Sequence, residues 1–238
     1  MQQERRRQML AILQTEKMAA IRELAARLYA SEASVRRDVL ALEKEGLVRR
    51  IYGGVLLSDY ENTVVPLAMR DDEHSAAKEA LARRAAAMVQ DGETLFLDAS
   101  STVRRMVRHL HGRKGLTIMT NNQRIFDELG DCDARVYCTG GEYSRENHVF
   151  AGPMAERFVR GVTADWLFFS SQGLSLDGEV SDYSESETSL RRAMIDRSRR
   201  RVCLMDASKV GRRCAFVLCT RDEVEAFLCD EELPWEGR

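Results

Sequence analysis

The chain of 238 residues lacks the features that would direct it into a membrane or out of the cell. It has no apolar run near the roughly 18 residues that a membrane-spanning helix needs, and no apolar segment of the signal-peptide type. Its six cysteines form no Cys-x-x-Cys pair, and no nearby histidine completes a zinc spacing. We therefore expect a cytoplasmic protein with free thiols, no metal and no cofactor; a thiol redox switch is the alternative.

The chain also lacks a large net charge, since its formal charge is −2. The charge is unevenly distributed, however. Residues 1–58 hold 11 basic against 7 acidic side chains, whereas the other 180 residues hold 25 against 31. A basic N-terminal part on an acidic body is typical of a protein whose N-terminal part meets a phosphate backbone.

Three short amphipathic helices are predicted in the first 45 residues. The third begins at Ser31, a favourable N-cap, and ends at Gly46. Only Tyr29 and Ala30 separate it from the second helix, which favours a helix-turn-helix corner. The pattern then changes to that of a hairpin, with strands at residues 47–51 and 55–57 around a Gly-Gly turn. Together these elements predict a winged helix-turn-helix.

DNA contacts are predicted on the third helix and on the wing. In this motif the start of the third helix enters the major groove. Arginine suits guanine O6 and N7, and serine can bind a phosphate or a base edge. The predicted contacts are Ser31, Ser34, Val35, Arg36 and Arg37 on the helix, and Arg49, Arg50 and Tyr52 on the wing. The alternatives are a merely solvated helix face, a protein-binding unit, and an ion pair of one arginine with Asp38.

A polar segment that includes Pro66 predicts a linker, so we divide the chain into a DNA-binding domain 1–58, a linker 59–74 and a second domain 75–238. In the second domain short apolar runs alternate with helical patterns. The predicted strands are Thr94–Leu97, Leu116–Thr120, Arg135–Cys138, Trp166–Ser170 and Arg201–Met205, and the predicted helices lie near 102–111, 122–129, 153–160 and 185–197. This order predicts a Rossmann-like α/β fold with a largely parallel sheet covered on both faces.

Polar loops follow several of these strands, at the sheet edge where such folds bind ligands. Hydroxyl side chains and free N–H groups at a helix start can hold a phosphate, a lysine can add charge, and aspartates can hold sugar hydroxyls. The predicted effector-binding residues are Asp98, Ser100, Ser101, Thr102, Asn121, Gly140, Gly141, Asp182 and Lys209. An ordinary helix cap and an ordinary Gly-Gly turn are the alternatives for the Ser-Ser-Thr and Gly-Gly segments.

Two sets of motifs resemble the DeoR family of bacterial transcriptional regulators. They are Ser31–Val39, Leu42–Arg50 and Tyr52–Gly54 in the first domain, and Leu97–Thr102, Thr120–Asn122, Thr139–Glu142, Gly152-Pro153 and Asp206–Lys209 in the second. The resemblance implies a homo-oligomeric repressor of a carbohydrate-metabolism operon that binds double-stranded DNA and is relieved by a phosphorylated sugar or related metabolite. Ser34 and Tyr52 replace the family's usual threonine and histidine, and Ser100 stands where many members have glycine.

The resemblance also relates the second domain to pentose-phosphate isomerases, so a sugar-phosphate isomerase is the alternative function, and an activator the alternative mode of regulation. Isomerisation needs a carboxylate base near the substrate C2. The motif alignment places Arg191 where those enzymes have their glutamate, and a guanidinium is no base at neutral pH. We expect Arg191 to bind an anion or to pair with Glu187, and we predict no enzyme activity, although Glu185 and Glu187 are possible stand-in bases.

Overall fold

The computed structural model describes residues 2–45, 47–51, 53–57, 73–145 and 147–235. The chain forms two compact units, Met1–Glu73 and His74–Arg238. Tyr52, Gly46 and most of the predicted linker lie outside the described residues. None of the helices within the described ranges is long and apolar enough to cross a membrane.

The first unit is a three-helix fold with a small antiparallel sheet. Its elements are α1 Gln2–Glu16, β1 Met18–Ala20, α2 Ile21–Arg27, α3 Glu32–Lys44, β2 Val48–Ile51 and β3 Gly54–Leu57. The strand order is β1-β3-β2. The predicted cap at Ser31 is confirmed, because its side chain accepts a hydrogen bond from the Ser34 N–H. The winged helix-turn-helix is confirmed as well, with one strand, β1, that was not predicted.

The core of the first unit joins all three helices to the wing. It includes Met9 and Leu13 of α1, Leu24 of α2, and Val35 and Val39 of α3. Val35 has no exposed surface. Its predicted DNA contact is therefore wrong: helical periodicity turns this residue toward the core, on the side opposite the exposed arginines.

The second unit is built on a six-stranded sheet. Its helices are α4 Ser75–Ala87, α5 Ser101–Arg104, α6 Val107–Leu110, α7 Gln123–Glu128, α8 Pro153–Arg160 and α9 Glu185–Asp196. Its strands are β4 Thr94–Leu97, β5 Leu116–Thr120, β6 Ala134–Cys138, β7 Glu142–Ser144, β8 Val149–Ala151, β9 Ala164–Phe169, β10 Gly173–Leu174, β11 Glu179–Asp182, β12 Ser198–Leu204, β13 Phe216–Thr220 and β14 Ala226–Leu228.

The large sheet has the order β14-β12-β9-β4-β5-β6, and every neighbouring pair is parallel. Alternate side chains of its strands enter two separate cores. Leu95 and Leu97 of β4 lie in one core, and Phe96 lies in the other, with residues of α8 and α9. Because successive side chains of a strand point to opposite faces, the sheet is covered on both sides. The predicted Rossmann-like α/β fold, with a parallel sheet covered on both faces, is thus confirmed.

Four features of the second unit differ from the prediction. The single helix expected near 102–111 is two short helices, α5 and α6. A hairpin of β7 and β8 and a small antiparallel sheet of order β10-β11-β13 were not predicted, nor was the edge strand β14. The extra sheet places the end of β11 beside α9, which determines the geometry of the candidate site described below.

Candidate functional site

The first half of α3 presents polar side chains to solvent. Ser31 and Ser34 lie at its N-terminus with their hydroxyl oxygens 3.0 Å apart. Arg36 and Arg37 are both exposed. The guanidinium of Arg36 donates to Glu32 one turn earlier at 3.1 Å, and that of Arg37 donates to the Ala33 carbonyl at 3.4 Å. These contacts hold both cations against α3 while leaving them accessible from outside.

The wing is attached to the far end of α3 by Glu43. This carboxylate accepts from the Arg50 backbone N–H at 3.0 Å and from the Arg50 Nε at 2.5 Å. The backbone hydrogen bond is the main reason that the pKa of Glu43 lies below its usual value. Arg49, its neighbour in β2, is half-buried and pairs with Leu56 of β3. Of the predicted wing contacts, the described structure therefore includes Arg49 and Arg50.

A buried carboxylate orients α3 against α1. Asp38 has no exposed surface, and its two oxygens accept from Arg5 Nε at 2.5 Å and from Arg6 Nε at 3.3 Å. Since the arginine side chains remain about a quarter exposed, these two ion pairs extend from the buried carboxylate of Asp38 to the surface. Sequence reasoning missed this role of Asp38, because residues 32 or more positions away are invisible to local spacing.

The predicted effector residues of the second unit gather at the carboxyl edge of the parallel sheet. Asp98 to Thr102 follow β4, Asn121 follows β5, and Gly140 and Gly141 follow β6. Lys209 follows β12. Because β4 lies between β5 and β9, the loop after β4 is the centre of this edge.

The loop after β4 is held in shape by its own polar groups. Asp98 accepts from the Ser100 N–H at 2.9 Å, and the Ser100 hydroxyl accepts from the Val103 N–H at 3.1 Å. The Ser100 hydroxyl is thus the N-cap of α5, and the role of this loop in phosphate binding stays a prediction. Asn122, which sequence reasoning missed, caps α7 and also donates to the Ala99 carbonyl at 3.1 Å, so it ties this loop to the next one. An asparagine just before a helix is the signal that would have found it.

Arg191 of α9 lies at the centre of a buried charge cluster. Its Nη1 donates to Asp182 at 2.9 Å and to the Ser170 carbonyl at 2.8 Å. Its Nε lies 3.6 Å from Asp98, and Nη2 lies 3.8 Å from Glu187. Both of the expected alternatives for Arg191 were thus incomplete, because its shortest ion pair is with Asp182, a carboxylate that sequence spacing did not connect with it.

The cluster has clear electrostatic consequences. Burial raises the pKa of Asp98, against the opposing effect of Arg191 and of the backbone N–H groups of Ser100 and Ser170. Burial also disfavours the charge of Arg191, but Asp182, Asp98 and Glu187 together raise its pKa above the usual value. The guanidinium therefore stays charged and fixes the positions of the two aspartates that were predicted to hold sugar hydroxyls.

Two buried asparagines leave acceptors available at the same edge. Asn121 donates its amide N–H to the Phe150 carbonyl at 3.1 Å, and Asn147 donates to Glu187 at 3.4 Å. The Oδ1 atom of each has no hydrogen-bond partner among the described residues. An unpaired buried acceptor costs free energy, so both atoms suit a ligand or water that donates a hydrogen bond. Asn147 was not predicted and carries no sequence motif.

The Gly-Gly segment after β6 has an identifiable structural role. Both glycines have positive φ, +64° at Gly140 and +107° at Gly141. A Cβ on Gly141 would lie 2.4 Å from the Ala151 carbonyl oxygen, whereas a Cβ on Gly140 would meet nothing within 4 Å. Gly141 therefore permits the close approach of β8, which fits the turn interpretation; Gly140 leaves its space open.

Lys209 lies beside a buried carboxylate. Its Nζ donates to Gln172 at 3.3 Å. Burial acts to raise the pKa of Asp206, but the Ser208 hydroxyl and then Lys209 and Lys78 lower it by more. The pKa of Asp206 therefore lies below its usual value, and the carboxylate is charged. The Lys209 charge is thus shared with Asp206. Within the described part of the chain no group of three or more His, Cys, Asp or Glu side chains is placed to hold a metal ion.

A winged helix-turn-helix joined to a doubly wound α/β unit defines a class of transcriptional regulators. The chain belongs to the DeoR family: residues 5–61 match the DeoR-like helix-turn-helix domain, and residues 73–231 match the DeoR C terminal sensor domain. The family resemblance of the sequence is thereby confirmed.

The relatives agree with this assignment. The transcriptional repressor AccR of Agrobacterium fabrum is 32% identical over 230 residues, which cover 96% of this chain and 89% of that protein. The lactose phosphotransferase system repressor of Staphylococcus aureus is 28% identical over 88% of this chain and 84% of that protein. A solved ribose 5-phosphate isomerase A from Methanocaldococcus jannaschii covers 58% of this chain and 55% of its own, at 13% identity and a TM-score of 0.44, which is too weak for a functional argument. The chain is a transcriptional regulator of this family and not an enzyme.

Proposed function

We propose that this regulator is a sequence-specific repressor of a carbohydrate-metabolism operon, and that a phosphorylated sugar or related metabolite relieves the repression. The observation that carries the proposal is the presence in one chain of an exposed, arginine-bearing third helix and of a sheet edge with clustered polar groups. The name of the Staphylococcus aureus relative, which refers to a lactose phosphotransferase system, supports the link to carbohydrate.

In this proposal α3 enters the major groove of double-stranded DNA with its N-terminal half leading. The Ser31 and Ser34 hydroxyls lie at the positive end of the helix dipole and bind a phosphate or a base edge. Arg36 and Arg37 bind base edges. To do so they give up their contacts with Glu32 and Ala33, which costs little free energy because those contacts are exposed and weak. Arg49, Arg50 and Tyr52 of the wing contact the backbone or the minor groove.

The effector is proposed to bind at the carboxyl edge of the sheet. Its phosphate lies against the loop from Ser100 to Thr102, where backbone N–H groups can donate to it, and Lys209, which also contacts Gln172, adds a positive charge. Its hydroxyls donate to acceptors of the edge, which are Asp98, Asp182 and the unpaired Oδ1 of Asn121. Gly140 and Gly141 bring backbone close to the ligand.

Regulation is proposed to depend on a homo-oligomer. Paired DNA-binding units would occupy half-sites separated by whole turns of DNA, about 34 Å each. The effector then favours an arrangement of the subunits that fits this spacing less well. Such coupling requires a difference in effector affinity between the two arrangements. The factor by which the effector lowers operator affinity then equals the factor by which the operator lowers effector affinity.

The proposal is tested by Arg37→Ala, measured by fluorescence anisotropy on DNA from upstream of the gene. Loss of a base-contacting arginine is expected to weaken binding by about 1–3 kcal/mol, with effector affinity unchanged. Arg199→Ala is the matched control, since Arg199 is an exposed arginine of the second unit. Equal operator affinity of the wild type and Arg37→Ala would remove Arg37 from the DNA interface.

A further inference from the structure

Tyr29 occupies the turn between α2 and α3 in a conformation that does not suit a tyrosine. Its φ is +48°, in the left-handed region that a residue with a Cβ adopts only at a cost in free energy. The turn requires this conformation, because the Ala30 N–H returns to the Ala25 carbonyl at 2.9 Å and closes the end of α2. Glycine or asparagine is the usual choice at such a helix end.

The side chain of Tyr29 gives the fold nothing in return. It is 98% exposed, the largest exposed fraction among the large apolar and aromatic side chains of the described residues. Nor does it form a hydrogen bond or ring contact with any residue that the structure describes. If folding were the only requirement, a smaller residue at position 29 would therefore give a more stable folded state. Costs of this kind are found where a residue is needed for binding.

The position of Tyr29 indicates what it binds. It lies two residues before Ser31, so its Cα is within about 7.6 Å of the Cα of the residue that caps α3. If the start of α3 enters the major groove, the turn that leads into it faces the sugar-phosphate strand along the edge of that groove. A phenol fits such a strand, since its O–H can donate to a phosphate oxygen.

We propose that Tyr29 donates its phenolic O–H to a phosphate oxygen of the DNA strand that borders the groove entered by α3. The inference rests on the proposed DNA-binding function and adds a contact to it. Because phosphate contacts carry no base information, this one positions α3 on any duplex and contributes equally to specific and non-specific binding. It is also uncharged, and so it displaces no counterion.

The test compares Tyr29→Phe and Tyr29→Gly with the wild-type full chain, by anisotropy on a mixed-sequence DNA duplex over a series of salt concentrations. Tyr29→Phe removes only the hydroxyl and is expected to weaken binding about tenfold, the effect of losing a hydrogen bond to a charged group. Tyr29→Gly is expected to weaken it at least as much, while its thermal unfolding midpoint stays equal to or above that of the wild type, because glycine adopts positive φ without strain. The slope of log affinity against log salt is expected to be unchanged in both variants, because the phenol is uncharged and its loss releases no counterion.

Tyr137→Phe is the matched control, since Tyr137 is an exposed tyrosine of β6 in the second unit and should bind DNA as the wild type does. If the wild type fails to bind the duplex even at low salt, the proposed function itself is wrong. If the wild type binds and both Tyr29 variants bind equally well, the Tyr29 contact is wrong and the function stands. If only Tyr29→Gly binds weakly, the proposed hydrogen bond of the hydroxyl is wrong and the aromatic ring makes the contact. If Tyr29→Gly has a lower unfolding midpoint than the wild type, the backbone of Tyr29 is not strained as argued above.

Discussion

In the buried cluster around Arg191, the ionic partners that the structure describes for this guanidinium are all carboxylates: Asp98, Asp182 and Glu187. Replacing Arg191 with methionine removes the positive charge that these carboxylates share. The side chain of Arg191 is 8% exposed, and those of Asp98 and Asp182 are 2% and 8% exposed. Methionine fills much of the same volume but leaves both aspartates without the guanidinium. Removing one partner of a buried ion pair in this way costs about 3–5 kcal/mol, since the remaining charge has neither water nor a counter-charge. We expect the free energy of unfolding to fall by that amount near pH 8.

The size of the loss should depend on pH. Burial already raises the pKa of Asp98 in the wild type, and without Arg191 that pKa rises further. An acid whose pKa is higher in the folded than in the unfolded state binds more protons when folded, so the variant gains stability as the pH falls toward the unfolded value of about 3.9. The difference between wild type and variant is therefore expected to shrink from pH 8 to pH 5.

Urea unfolding followed by tryptophan fluorescence measures this effect, because both tryptophans, Trp166 and Trp235, lie in the second unit. Arg192→Met is the matched control from the same helix. Its side chain is 39% exposed and pairs with Asp196 at 2.9 Å and Glu223 at 2.5 Å, so its loss should cost at most about 1 kcal/mol. An Arg191→Met loss no larger than that of the control, or one that does not shrink at low pH, would refute the account of the cluster.

Three further predictions concern other parts of the chain. Asp38→Asn should destabilise the first unit by about 1–3 kcal/mol, which is less than the loss of a fully buried ion pair because its arginine partners are partly exposed. Hydrogen exchange of the α3 amides in the full chain measures this loss, and unchanged protection of those amides would contradict the prediction. Gly141→Ala should cost about 2–4 kcal/mol in the urea titration, since its Cβ meets the Ala151 carbonyl oxygen at 2.4 Å, whereas Gly140→Ala should cost about 1 kcal/mol; similar losses would refute the close approach. Lys209→Ala should abolish the effector response while DNA affinity stays at the wild-type level, and a normal response would exclude the proposed phosphate contact.

Much of the fold could be predicted because the strongest signals are local. β4 and β5 were predicted with their observed bounds, since each is a short apolar run between polar segments. The wing was predicted from the same alternation around a Gly-Gly turn. By contrast, β1 and β11 are short and of ordinary composition. They are strands because distant partners pair with them, as Val55 does with Ala19 and Cys219 with Val180.

In the candidate site, too, features encoded locally in the sequence could be predicted, and features that depend on distant residues could not. The residues that follow the strands could be assigned to one sheet edge because parallel strands end together. The role of Arg191 could not, because local spacing connects it with Glu187 alone, while its shortest ion pair reaches Asp182 in the unpredicted sheet. Val35 was misassigned for a related reason: the motif that resembles the family's third helix contains core and surface positions alike, and only packing separates them.

The most direct test of the central claim is fluorescence anisotropy of the wild-type protein on DNA from upstream of its gene, with and without each member of a panel of phosphorylated sugars. We expect saturable, salt-sensitive binding that one sugar phosphate selectively weakens. Failure to bind this DNA at low salt would contradict the repressor function. Binding that a phosphorylated sugar strengthens would contradict relief of repression, and binding that none of the panel alters would contradict the proposed class of effector.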